Sequence, residues 1–160
     1  MSSYCLDSDV FIQAKNGPYG MDIVPSFWTL LDDRAQSGEI CCSLLVHDEL
    51  VAGNDELALW ARQRRNTAIF LAPTLQIQTT FSAIAQYVQQ SYLAHQASSF
   101  LSGADPWVIA QAKELGQIVV THENLVNSSS TKPKIPNVCR EFGVAWVNTY
   151  QMLRDFGARF

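Results

Sequence analysis

The chain has 160 residues, 48% of them hydrophobic and 16% charged, with a formal net charge of −4 at pH 7. That length is expected to form a single domain, residues 1–160, with its own core, and the apolar content excludes a disordered chain. The acidic balance excludes a protein that coats nucleic acid through a broad basic face, but it leaves room for a carboxylate site with a local basic rim.

No stretch reads as a membrane span, and no secretory signal is visible at the N-terminus, so the expectation is a cytoplasmic protein with no membrane partner. The four cysteines, Cys5, Cys41, Cys42 and Cys139, show neither a CxxC pair nor zinc-finger spacing to a histidine. Cys5, and one or both of Cys41 and Cys42, fall in apolar strand-like runs and read as small buried hydrophobes.

The first apolar run, Tyr4-Cys5-Leu6, ends at Asp7, and residues 8–14 continue at helical spacing. Asp7 therefore stands on a strand-to-helix corner, where ligands bind in parallel α/β sheets. The ordinary role for the same carboxylate is to cap the helix. Residues 15–20 hold the breakers of a loop. Residues 25–37 read as a helix stopped by Gly38, with Asp32 and Asp33 on its wet side.

Residues 39–43 suit a second strand and 44–52 a helix that carries Glu49. A further helix opens at 54–56 and closes on Arg62, Arg64 and Arg65, cations that suit a helix C-terminus or a phosphate. Residues 74–95 read as one long helix without evident chemistry. In the helix over 104–116, Asp105 is expected at the N-cap with Pro106 at the first helical position.

Residues 117–121 form the next buried strand, which leads into His122 and Glu123. Residues 127–133 are polar and expected to be a mobile loop, with Lys132 and Lys134 as candidate RNA guides or a solvated pair. A helix over 136–142, a strand over 144–147 and a helix over 149–156 complete the chain. This alternation predicts an α/β fold: a parallel sheet of about four to five strands covered by helices on both faces.

Four acids share one kind of position, at strand ends or helix starts: Asp7, Glu49, Asp105 and Glu123. Each alone has an ordinary reading as a cap or a solvated side chain, but a parallel sheet can gather all four. Clustered carboxylates repel one another and call for a cation or raised pKa values. Hard oxygen donors select Mg2+ or Mn2+, whose chemistry with phosphates is phosphodiester hydrolysis. Ser8 and Thr121 carry hydroxyls suited to supporting such a site, and His122 stands beside it.

The sequence resembles the PIN-domain nucleases, including the toxin ribonucleases of bacterial and archaeal toxin–antitoxin pairs. The resemblance rests on Leu6-Asp7-Ser8-Asp9-Val10, on Glu49-Leu50 after the second strand, on Asp105-Pro106-Trp107-Val108-Ile109-Ala110-Gln111-Ala112, and on Glu123 after Val119-Val120-Thr121. It implies a three-layer α/β/α PIN-like fold and a metal-dependent endoribonuclease with Asp7, Glu49, Asp105 and Glu123 as catalytic metal ligands. It further implies a homodimer and an antitoxin that covers the acidic pocket.

Two positions depart from the family pattern. Glu123 stands where Asp is usual, and Asp9 stands where Asn or Ser is common, which gives Asp9 a supporting role. Asp7 and Asp9 also resemble the Asp-x-Asp signature of haloacid-dehalogenase-like phosphatases. The later strand-ending hydroxyl, lysine and acidic pair of those enzymes do not follow in order. The third class is a non-catalytic PIN-like module that binds RNA.

Overall fold

The computed structural model describes residues 2–127 and 132–160. Strand β1 (Tyr4–Leu6) is buried along its whole length and passes directly into helix α1 (Ser8–Asn16). Helix α2 (Pro25–Gln36) buries Phe27, Trp28, Leu31 and Ala35. Strand β2 (Cys42–Ser43) follows, then helices α3 (Leu44–Val51) and α4 (Glu56–Arg62).

Strand β3 (Phe70–Leu71) precedes helices α5 (Leu75–Ser91), α6 (Ala94–Ser102) and α7 (Asp105–Leu115). Strand β4 (Ile118–Val120), helix α8 (Ile135–Phe142), strand β5 (Trp146–Val147) and helix α9 (Thr149–Asp155) complete the fold. Helix α7 packs against β1, β2 and β4, with α5 outside it, while α1 packs on α3 and α4. Among the described residues no helix is long and apolar enough to cross a membrane.

All strand pairs are parallel. β1 pairs with β4, Leu6 opposite Val120, and β4 with β5, Val120 opposite Val147. β2 pairs with β3, Ser43 opposite Leu71. One bridge between Tyr4 and Ile40 joins the two sheets and sets the spatial order β3-β2-β1-β4-β5.

β1 is thus central. The chain leaves it toward β2 and β3 on one side and returns through β4 and β5 on the other. The switch point of the sheet lies at the carboxyl end of β1, where Asp7 stands.

The second strand is shorter than the sequence predicts because the chain changes partner within it. Cys41 N–H donates to the Tyr4 carbonyl at 3.1 Å, whereas Cys42 N–H donates to the Ile69 carbonyl at 2.7 Å. The Cys41 carbonyl accepts from the side chains of Gln111 at 2.9 Å and Gln117 at 3.0 Å. Both glutamines are buried, so the amides satisfy a carbonyl at the seam between sheets.

Two readings change. β3 has no counterpart in the sequence reading, because two paired residues are too few to display a strand period. The long helix over 74–95 is two helices, broken where Tyr92 is extended (φ −130°, ψ 159°) and sets its ring edge-on to Tyr87. The loop expected over 127–133 has residues 128–131 outside the described residues. Cys5 and Cys42 are buried free thiols, as expected; Cys139 is buried as well, and Cys41 is half-buried.

The seam yields a prediction. Gln111→Ala removes a buried donor and leaves the Gln117 side-chain oxygen without its 3.2 Å partner. The expected loss is about 2 kcal/mol of unfolding free energy, read by urea denaturation.

Candidate active site

Asp7 is 2% exposed, and both its carboxylate oxygens are engaged. Oδ1 accepts from the Val10 backbone N–H at 3.1 Å, which caps α1, and Oδ2 accepts from the Thr121 hydroxyl at 2.6 Å. The capping role and the site role belong to the same side chain. Burial, with the charges of Asp9 and Glu123 adding to it, raises the Asp7 pKa to about 7 against the pull of the two hydrogen bonds.

Glu49 reaches in from α3. Its Oε2 accepts from the Ser8 hydroxyl at 2.8 Å, and its Oε1 accepts from the Ala104 backbone N–H at 2.6 Å. Ser8 therefore orients a carboxylate.

Asp105 is not the N-cap that the sequence suggests. Ala104 occupies that position, and Asp105 is the first helical residue, with no capping bond from its side chain. Proline fits either of the first two helical positions, so Pro106 did not discriminate between them. The Asp105 carboxyl is instead turned into the pocket. Its pKa is raised to about 7, chiefly by burial and then by the charges of Asp7, Glu123, Glu49 and Asp9.

Glu123 follows β4. Its backbone N–H donates to Thr121 Oγ1 at 3.1 Å, and its carboxylate Oε1 accepts from the Ile135 N–H at the start of α8 at 2.9 Å. The extra methylene relative to Asp gives this side chain its reach toward that helix end. Lys134 Nζ stands 3.5 Å from Glu123 Oε2.

Ser8, Asp9, Glu49, Asp105 and Glu123 line one pocket of about 300 Å3, with Lys132 and Pro133 at its edge. Gln96, Ser99 and Phe100 of α6 form another wall that the sequence reading missed. Its signal was present: Ala97 and Phe100 are buried at i, i+3, which leaves small polar residues on the adjoining face.

His122 does not line this pocket. Its Nε2 lies 2.9 Å from Thr149 Oγ1, and the ring faces a neighbouring cavity. Burial lowers its pKa.

The arginines also lie elsewhere. Arg62 donates to the Val51 and Gly53 carbonyls at 3.0 and 3.1 Å, at the end of α3. Arg64 grips Asp32 with two hydrogen bonds, at 2.7 and 2.8 Å, and stacks on Trp60 at 4.4 Å. Arg65 is exposed, away from the acids. Asp32 is thus held in an ion pair on the side of α2 expected to be merely solvated.

The donor set is oxygen throughout, which suits a hard dication in kind. The crowding of charge on Asp105, which accepts no hydrogen bond from the described residues, is what such an ion would relieve. As arranged, Glu49 and Glu123 are drawn onto backbone N–H groups. Among the described residues no group of three His, Cys, Asp or Glu side chains is set to hold a metal ion.

Residues 4–160 match the family described as "Domain of unknown function (DUF4411)". The chain belongs to DUF4411. No curated protein matches it.

Solved structures show the fold of this DUF4411 chain. FitAB bound to an IR36 DNA fragment is 16% identical, with 91% of this chain and 94% of that one covered and a TM-score of 0.51. FitAcB from Neisseria gonorrhoeae is 17% identical, with 92% and 98% covered and a TM-score of 0.53. VapBC2 from Rickettsia felis, bound to a DNA fragment from its promoter, is 13% identical, with 91% and 97% covered and a TM-score of 0.52. The fold is the PIN-like α/β/α arrangement.

The two raised carboxyls set a pH dependence. Each binds more protons in the native than in the unfolded chain between about pH 4 and 7, so stability is greatest at the acid end of that window and falls as pH rises through it. In chelator-treated protein the melting temperature is expected to drop from pH 5 to pH 8, by calorimetry, and Asp105→Asn is expected to flatten that drop.

Proposed function

We propose that this chain is a metal-dependent endoribonuclease, the toxin of a toxin–antitoxin pair. The observation that carries this reading is the gathering of Asp7, Glu49, Asp105 and Glu123 at the switch point of a PIN-like sheet. The likeness to FitAB, FitAcB and VapBC2, which are toxin–antitoxin proteins, supports the biological setting. An antitoxin over the acidic pocket, a homodimer and a cytoplasmic location belong to the same proposal.

Asp7, Glu49, Asp105 and Glu123 are the residues that would hold Mg2+ or Mn2+. Such an ion supplies Lewis acidity toward a phosphoryl oxygen. The chain's own groups do the rest. Ser8 and the Ala104 N–H hold Glu49, and Thr121 holds Asp7. Asp105, which accepts no hydrogen bond from the described residues and is crowded by the charges of Asp7, Glu123, Glu49 and Asp9, is the carboxyl left open to such an ion. Lys132 and Lys134 bring positive charge to the edge where a phosphate backbone enters.

Asp9 is exposed on the pocket edge.

Purified chain with single-stranded RNA and Mg2+ or Mn2+ is expected to cleave it. Asp105→Asn is expected to lose about a hundredfold or more in rate, while Asp9→Asn stays within about tenfold. Cleavage that survives Asp105→Asn, or collapses with Asp9→Asn, refutes these roles. Binding of RNA without cleavage by the parent protein points to a non-catalytic module.

A further inference from the structure

A second cavity, of about 340 Å3, shares a wall with the acidic pocket. Successive residues alternate across that wall. Thr121 holds Asp7 and Glu123 lines the acidic pocket, while His122 between them lines the second cavity. In the first turns of α1, Ser8 and Asp9 face the acids, while Val10 and Gln13 face the second cavity.

We propose that this cavity receives one base of a single-stranded RNA whose adjacent phosphodiester lies among the acids. The proposal rests on the nuclease reading of the acidic pocket. The volume is near the lower end of small-ligand pockets, about 300–1,000 Å3, which suits a single base.

The floor is apolar where Val10 and Ala14 are buried. His122 is fixed by its contact with Thr149 and stands edge-on to Tyr150, with ring centroids 6.2 Å apart at 66°. Tyr150 lines the cavity and is 43% exposed, which makes its ring the candidate stacking surface for a planar ligand. Gln13 and Asn16 are exposed at the mouth and offer amide donors and acceptors to a base edge.

Beyond Tyr150, a smaller cleft shared with Tyr19 places Arg154 where the next phosphate would run. Apolar floor, aromatic wall, amide rim and flanking cation together match the chemistry of a nucleotide better than that of an aliphatic or acidic ligand.

The test measures fluorescence anisotropy of a labelled single-stranded oligoribonucleotide on full-length Asp105→Asn protein, so that cleavage does not interfere. Adding Tyr150→Ala is expected to weaken binding about tenfold, while Tyr150→Phe stays within about twofold, because the stacking face is kept. Thermal melting of each variant checks that the fold persists.

Equal affinity of Tyr150→Ala and the parent, or no binding by either, overturns the proposal. Binding that depends on Tyr150 supports the base cavity even where the wild-type chain cleaves no RNA. Cleavage that persists at full rate in Tyr150→Ala, with unchanged affinity, overturns the cavity and leaves the nuclease reading intact.

Discussion

The hydroxyl of Thr121 is the constraint on which the acidic end of this sheet depends. It donates to Asp7 Oδ2 at 2.6 Å while accepting the Glu123 N–H at 3.1 Å. Asp7 in turn accepts the Val10 N–H, so the exits of β1 and β4 and the start of α1 share one hydrogen-bond relay. Only a group that both donates and accepts can occupy the middle of such a relay. The pairing of Leu6 with Val120 sets the two strand exits at the same depth, which puts Thr121 within reach.

Around that relay the acids divide the electrostatic work unequally. Glu49 and Glu123 rest on the N–H groups of Ala104 and Ile135, at the beginnings of α7 and α8, where helix ends favour negative charge. Asp105 also lies in a first helical turn, which would lower its pKa, yet burial and four neighbouring carboxylates win and raise it. Hydrogen bonds hold Asp7, Glu49 and Glu123, and Asp105, which accepts none from the described residues, is left to burial and the charge of its neighbours. A cluster built this way is strained toward taking up positive charge, whether as a proton, as the lysines at its edge or as a dication.

The sequence carried the parts of this arrangement that local chemistry writes. Asp7 after a buried triplet and Glu123 after Val119-Val120-Thr121 were legible because strand ends are marked by a change from apolar to polar residues. The breaks of β2 and of the helix over 74–95 were not legible. Cys41 changes hydrogen-bond partner because Tyr4 and Ile69, both distant in sequence, lie on either side of it, and Tyr92 is extended beside Tyr87 with no Gly or Pro nearby to mark the break. The arginines were ambiguous for the same reason. Nothing near Arg64 in sequence reveals that Asp32 waits on α2 to receive it.

His122 illustrates a finer limit. Its position between Thr121 and Glu123 made it a neighbour of the acids in sequence, and adjacency suggested a share in their chemistry. Neighbouring side chains along this segment leave it on opposite sides, so the residue next to the site belongs to the next cavity. Burial lowers the pKa of the ring, which feels the charge of Asp9 across that separation. The separation also gives the segment two working faces, one that crowds charge and one that offers aromatic surface. A ligand that needs both faces must itself alternate charge and planar rings at short intervals, and a nucleotide chain has that repeat.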